Sequence, residues 1–391
     1  MHMRKATAAL VGLLLAGVAA TPAHADTIRS QQWHLDAMKA DEIWKISTGK
    51  GVTVAVIDTG VNQIPELEGQ VLPGKAFPVG DAEMGRDNDY FGHGTGIAAM
   101  IAATGKHPTG DGAYGLAPGV KILPIRIPDM LEAASTPSMV EAIRHAADSD
   151  ARVINISMGL AGKAEDDQQR AAAVKYAISK GKLIFAAVGN YGNSTNEVQY
   201  PAGTPGVVGV GAVDSKGEPT AESQHGPQVD LAAPGMDVVT ACKGKTGVCK
   251  THGTSDASAL ASASAALLWS AHPDWTNNQV LRVLLNTAGK PVDGSNRNDY
   301  VGYGIVRPRV ALQTPGDPGP ADVYPLPDLA AASQTGDKPA SPGVAAPSQS
   351  DAPQAAAEKK SGSSVLWVGL GLGACVLIGG AVTAVVVRRN R

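Results

Sequence analysis

The chain has 391 residues, 46 of them glycine and 26 proline, a share well above the usual ~12% for the two together. Aromatics are 4%, charged residues 18% and the formal net charge is −3, which excludes a basic nucleic-acid binder. The 43% apolar content excludes a wholly disordered chain, and three cysteines are too few for a disulfide scaffold.

In chain order, residues 1–25 read first, as a secretory signal. Arg4 and Lys5 give a positive start, residues 6–20 are almost wholly apolar, and Ala23-His24-Ala25 fits a small-x-small cleavage site. The apolar run is about 15 residues, short of the ~20 that a membrane span needs. Residues 26–51 form an N-terminal extension. A β-branched run at 52–57 predicts a strand, and Asp58 follows it directly. Arg86-Asp87-Asn88-Asp89-Tyr90 offers several acidic oxygens at a spacing that does not fit an EF-hand loop, and reads as a solvated loop. Gly92-His93-Gly94-Thr95-Gly96 opens a helix pattern over 93–103.

Further strands are expected at 120–127, 153–156, 183–188 and 207–213, with helices at 138–148 and 165–179 between them. Ser157-Met158-Gly159 follows the 153–156 strand. Gly189-Asn190-Tyr191-Gly192 follows the 183–188 strand. Cys242 and Cys249 bracket a polar loop. Outside the cell a disulfide between them is expected, with free thiols the alternative; no paired-histidine pattern supports a metal. Gly253-Thr254-Ser255 opens a long Ala-rich helix over 254–271, and a last helix is expected at 277–287.

The catalytic-size domain is therefore 52–313. Residues 314–364 are rich in Pro, Ala, Ser, Gly and Gln, and read as a disordered stalk. Residues 365–387 carry no charge and as a helix would run about 34 Å, enough to cross a bilayer. Cys375 within them reads as a small apolar filler. Arg388, Arg389 and Arg391 make 388–391 a cytoplasmic tail. The expectation is a single-pass protein of the cell membrane, with its domain outside the cell.

Apolar strands alternating with helices describe an α/β fold: a doubly wound, mostly parallel sheet with helices on both faces. Sites in such sheets form at the carboxyl ends of strands. Alone, an Asp after a strand is usually a turn residue, Gly-Thr-Ser before a helix is usually a cap, and Asn190 is usually a turn residue too. Together the residues suit acyl transfer. Ser255 is a weak nucleophile until a base takes its proton. His93 titrates near neutrality and can take it, and Asp58 can orient the ring and stabilise the imidazolium. Asn190 and the Ser255 backbone N–H are then the oxyanion donors.

These segments resemble the subtilase family of serine endopeptidases over about 42–311, with Gly115-Leu116-Ala117-Pro118-Gly119, Asn155-Ile156-Ser157-Met158-Gly159, Asp230-Leu231-Ala232-Ala233-Pro234-Gly235 and Gly302-Tyr303-Gly304 adding to the likeness. The resemblance implies a subtilisin-like fold and a peptide substrate lying in a cleft lined by Ser157, Met158, Gly159, Ala187 and Gly189. No cofactor or metal is called for. Gln32-Trp33-His34-Leu35-Asp36-Ala37-Met38 and Ile43-Trp44-Lys45-Ile46-Ser47-Thr48-Gly49, with the Pro-rich tail and apolar end, resemble the mycosins, membrane-bound subtilases of actinobacterial type VII secretion systems. That likeness implies an extension lying against the domain, the type VII membrane complex as a partner, and processing of exported proteins. A structural role in that complex, with proteolysis dispensable, is the alternative. Two residues depart from the subtilase pattern: Ala259 replaces a proline, and Asp256 follows the nucleophile where an apolar residue is usual. Asp256 is expected to be solvated.

Overall fold

The structure, a computed structural model, describes residues 27–77, 89–128, 136–162, 168–243 and 247–336. The signal, the 365–387 span and the 388–391 tail lie outside the described residues. Among the described residues no helix is long and apolar enough to cross a membrane.

Strands β1 (Thr53–Asp58), β2 (Lys75–Ala76), β3 (Lys121–Arg126), β4 (Val153–Ile156), β6 (Leu183–Ala187), β8 (Val208–Val213) and β9 (Leu231–Pro234) form one sheet in the order β2-β3-β1-β4-β6-β8-β9. All its pairings are parallel. Side chains alternate across it with the two-residue period of a strand. Val54 and Val56 join one apolar layer, and Ala55 and Ile57 join the other. Helices α3 (His93–Ala102) and α6 (Thr254–Ala271) pack in the first layer. Helices α4 (Thr136–Asp148) and α5 (Gln168–Ser179) pack in the second. Both faces are thus covered, which is why the strands carry continuous apolar runs.

Helix α6 has no polar face; it is Ala- and Ser-rich and buried for almost its whole length. Its buried hydroxyls find partners inside. Ser258 and Ser262 donate to Asn155 Oδ1 at 2.9 and 3.0 Å, and Ser264 donates to the Leu260 carbonyl at 2.7 Å. Small side chains let this helix lie close against the sheet.

The N-terminal extension packs on the domain from residue 27. In α1 (Trp33–Met38) and α2 (Ala40–Ile43), Leu35, Met38, Ala40 and Ile43 enter the core. Gln32, fully buried, donates from Nε2 to the Tyr114 and Val239 carbonyls and accepts from Tyr114 N–H. Trp33 and Trp44 donate to Met236 and Leu116 carbonyls.

Two features differ from expectation. The hairpin of β10 (Val238–Ala241) and β11 (Val248–Thr251) has no clear sequence signal; the Cys242–Cys249 disulfide closes the loop between its strands. The second is the start of the stretch expected to be a stalk. Residues 318–328 are bound to the domain. Arg282, on α7 (Asn277–Thr287), donates to the carbonyls of Pro318, Pro320 and Val323. Leu326 is 2% exposed within the core. Tyr324 Oη donates to the Gly206 carbonyl at 2.8 Å, and Asp328 Oδ2 accepts from Gly206 N–H at 2.7 Å. The composition hides this because much of the binding runs through backbone carbonyls, of Pro318, Pro320 and Val323, and only a few side chains, Tyr324, Leu326 and Asp328, fasten the rest.

Candidate active site

Strand order reverses between β1 and β4: the chain adds β3 on one side of β1 and then β4, β6, β8 and β9 on the other. The loops leaving β1 and β4 diverge there and open a crevice at the strands' carboxyl ends. Asp58 is the last residue of β1, Ser157 follows β4, Asn190 follows β6, and His93 and Ser255 open α3 and α6. The sequence-predicted residues converge on this crevice.

Asp58 is fully buried, and its Oδ1 lies 2.7 Å from His93 Nδ1 and accepts from Thr59 N–H at 2.8 Å. Gly94 permits the approach of α3: a Cβ there would lie 2.2 Å from the Gly60 carbonyl oxygen and 3.0 Å from Asp58 Cβ. The His93 side chain remains 42% exposed. The Asp58 charge pushes its pKa up to about 9 against the opposing effect of burial, with smaller upward contributions from Asp256 and Asp89. Asp58 thus fixes the ring with Nδ1 inward and Nε2 toward the crevice.

Ser255 is half-buried in the first turn of α6, where unpaired backbone N–H groups and the helix dipole favour negative charge. Its Oγ donates to the Ser157 carbonyl at 3.1 Å, and Ser157 Oγ returns a bond to the Ser255 carbonyl at 3.1 Å. The single hydroxyl proton is therefore given to the Ser157 carbonyl. Asn155 Nδ2 bonds Ser157 Oγ at 3.0 Å, so one network ties the end of β4 to the start of α6.

Asn190 is exposed, and its Oδ1 accepts from both Thr254 N–H and Thr254 Oγ1 at 2.9 Å. A backbone N–H can only donate, which settles the amide orientation and leaves Nδ2 as the donor end away from Thr254. Gly253 makes the contact possible: its φ is +132° and a Cβ would lie 2.9 Å from Asn190 Nδ2.

The expected cleft residues divide. Ser157 and Gly159 flank the crevice, and β5 (Leu160–Ala161) beyond them pairs with β7 (Gln199–Tyr200). Met158 is 3% exposed and its side chain packs in the second apolar layer. Ala187 is buried in β6. Gly189 has both backbone groups engaged inside, its N–H on Thr254 Oγ1 and its carbonyl on Gln224 N–H. Gly189 and Ala187 therefore shape the turn that presents Asn190.

Two acidic residues expected to be solvated are buried. Asp89 is 0% exposed. Its Oδ1 accepts from Thr59 Oγ1 and Gly92 N–H at 2.8 and 2.7 Å, and its Oδ2 from Thr95 N–H and Oγ1 at 2.8 and 2.6 Å. Thr59 Oγ1 in turn accepts from Gly94 N–H at 3.0 Å. Asp89 thus clamps the first turn of α3, and with it His93, to the loop after β1. The sequence signal was available: an acid within a turn of a helix start caps it. Residues 86–88 lie outside the described residues. Asp256 is 5% exposed. Burial pushes its pKa up to about 6, against a hydrogen bond from Thr251 and the nearby His93 and His252.

Residues 49–304 match the Subtilase family (Peptidase_S8). The chain belongs to the subtilase family. It is a serine protease of that family. Mycosin-1 of Mycolicibacterium smegmatis is 32% identical over 331 residues, covering 72% of each chain. The crystal structure of MycP1 from Mycobacterium smegmatis aligns with a TM-score of 0.65 at 31% identity, over 77% of this chain and 89% of that one. A chain of an intact ESX-5 inner membrane complex aligns with a TM-score of 0.65 at 28% identity, over 83% of this chain and 84% of that one. The subtilisin-like α/β fold expected from the sequence is the fold observed.

Proposed function

We propose that this subtilase hydrolyses peptide bonds with Asp58, His93 and Ser255 as its catalytic triad and Asn190 as a side-chain oxyanion donor. The observation that carries this reading is the 2.7 Å pair between buried Asp58 and His93 Nδ1 in the crevice that Ser255 enters from α6. An extended peptide lies along the Ser157–Gly159 backbone as an added strand. Ser255 Oγ turns from the Ser157 carbonyl to His93 Nε2, loses its proton to that nitrogen and attacks the scissile carbonyl. The developing oxyanion meets Asn190 Nδ2 and the Ser255 N–H. His93, its charge stabilised by Asp58, passes the proton to the leaving amine. Water then attacks the acyl-enzyme by the same route in reverse.

The setting we propose is a cell-membrane protein with residues 1–25 as signal, 52–313 as catalytic domain outside the cell, 365–387 as anchor and 388–391 in the cytoplasm. Its substrates are proteins exported by a type VII secretion system. Likeness to the mycosins supports this reading. The likeness to a chain of the ESX-5 inner membrane complex favours a second role, a structural subunit of such an assembly. Both are tested by complementing a deletion strain with wild type or Ser255→Ala and mapping the termini of secreted proteins by mass spectrometry. Loss of specific new termini with Ser255→Ala is expected. Unchanged termini would contradict the protease role, and restored secretion without cleavage would leave the structural one.

A further inference from the structure

Gln199 stands in β7 with 8% of its surface exposed. Its backbone is fixed on two sides. Ala161 of β5 is its partner in the antiparallel pair, and its carbonyl accepts from Gly203 N–H at 2.9 Å. Among the described residues its side-chain amide makes no hydrogen bond. A buried amide without a partner is costly. An apolar side chain of the same size would fill the space without that desolvation, so packing alone does not account for a glutamine there.

The amide lies between two backbone segments of the crevice. A Cβ at Gly159 would stand 3.1 Å from Gln199 Oε1, and a Cβ at Gly189 would stand 2.8 Å from Gln199 Cδ. Gly159 ends the Ser157–Gly159 edge, and Gly189 directly precedes Asn190. Gln224 backs the same turn. It is 1% exposed, its backbone N–H donates to the Gly189 carbonyl at 3.0 Å, and its Nε2 donates to the Glu197 carbonyl. A Cβ at Gly189 would also stand 2.8 Å from Gln224 Cδ. Two glutamine side chains thus meet at Gly189.

In the mechanism proposed above, the scissile carbonyl meets Asn190 Nδ2 and the Ser255 N–H while the peptide pairs with the Ser157–Gly159 backbone. The side chain of the residue that carries this carbonyl then leaves between Gly159 and Gly189, toward β7. We propose that Gln199 is a specificity-determining residue: its amide closes this space, so that the chain cleaves after residues with small, uncharged side chains such as alanine and serine. This rests on the triad and oxyanion reading. One added carbon on either glycine already touches the amide or crowds it, so a branched or aromatic side chain has no room beyond its own Cβ. A serine hydroxyl finds a partner in the free amide. A lysine or arginine charge meets an amide there and no carboxylate among these residues.

The test compares kcat/KM for peptides that differ only in the residue before the scissile bond: alanine, leucine or lysine. The full chain is used in detergent, as wild type, Gln199→Ala and Gln199→Glu. Wild type is expected to prefer alanine. Gln199→Ala frees about the space of a leucine side chain and is expected to raise the leucine-to-alanine ratio by about tenfold or more. Gln199→Glu keeps the size but adds a charge, and is expected to raise the lysine-to-alanine ratio several-fold. Labelling of Ser255 by a small fluorophosphonate checks that each variant keeps its site. Ratios unmoved in both variants with labelling retained, or a wild type that prefers leucine, overturn the proposal and leave the triad intact. If Gln199→Ala does not fold, the isosteric Gln199→Glu decides, and an unmoved lysine-to-alanine ratio overturns the proposal. Labelling that survives Ser255→Ala overturns the triad and the proposal with it.

Discussion

Asn190 shows how one side chain is made into a directed donor. Thr254 takes both contacts to Oδ1, and a flip would set the Nδ2 hydrogens against the Thr254 N–H, so Nδ2 is held as the donor end. Asn190→Ala is expected to lower kcat by about 10²- to 10³-fold with KM little changed, because in the proposed mechanism the donor meets the oxyanion and not the resting carbonyl. Steady-state kinetics on a peptide substrate checks this; a rise in KM at constant kcat would assign Asn190 to ground-state binding instead. At this scale the sequence was legible where chemistry restricts residue type: Asp58 stands out by following a strand directly, and His93, Asn190 and Ser255 by the glycines within two residues of them. It was not legible where burial decides the role. Asp89 and Asp256 read as ordinary surface acids, since the elements that enclose them come from distant parts of the chain.

At the level of elements, the expected strands and helices of the parallel sheet lie within a few residues of those observed, because continuous apolar runs and helical spacing are local signals. The short strands β5, β7 and β9 and the β10–β11 hairpin carry no such signal. Pro234 in β9 argues against a strand until the sheet edge is seen. The strap from Pro318 to Asp328 is the clearest departure. Leu326 should behave as a core residue: Leu326→Ala is expected to cost about 2–4 kcal/mol in urea unfolding. A free stalk at this point would leave the unfolding midpoint unchanged. The strap thus carries the domain's own contacts further along the chain, to Asp328, than composition suggested.

For the whole molecule, the N-terminal extension is part of the core and carries a pH dependence of its own. His34 is fully buried in α1, and neither ring nitrogen has a hydrogen-bond partner among the described residues. Burial, aided by Arg29, pulls its pKa down to about 3. The unfolded chain takes up this proton near pH 6.5, while the folded chain resists until about 3. Stability is therefore lost as pH falls below about 6.5, at up to about 1.4 kcal/mol per unit from this group. His34→Leu should flatten that slope, read as unfolding midpoints between pH 7 and 4. His93 has the opposite sign: its pairing with Asp58 stabilises the fold fully below about 6.5 and loses this effect as pH rises through about 9.

The acyl-transfer reading stands or falls on one hydroxyl, now resting on the Ser157 carbonyl. Treating the full chain with a fluorophosphonate and locating the adduct by peptide mass mapping tests it directly. A single adduct on Ser255, absent from both Ser255→Ala and His93→Ala, is the result predicted. An adduct elsewhere, or undiminished labelling of Ser255→Ala, would contradict it.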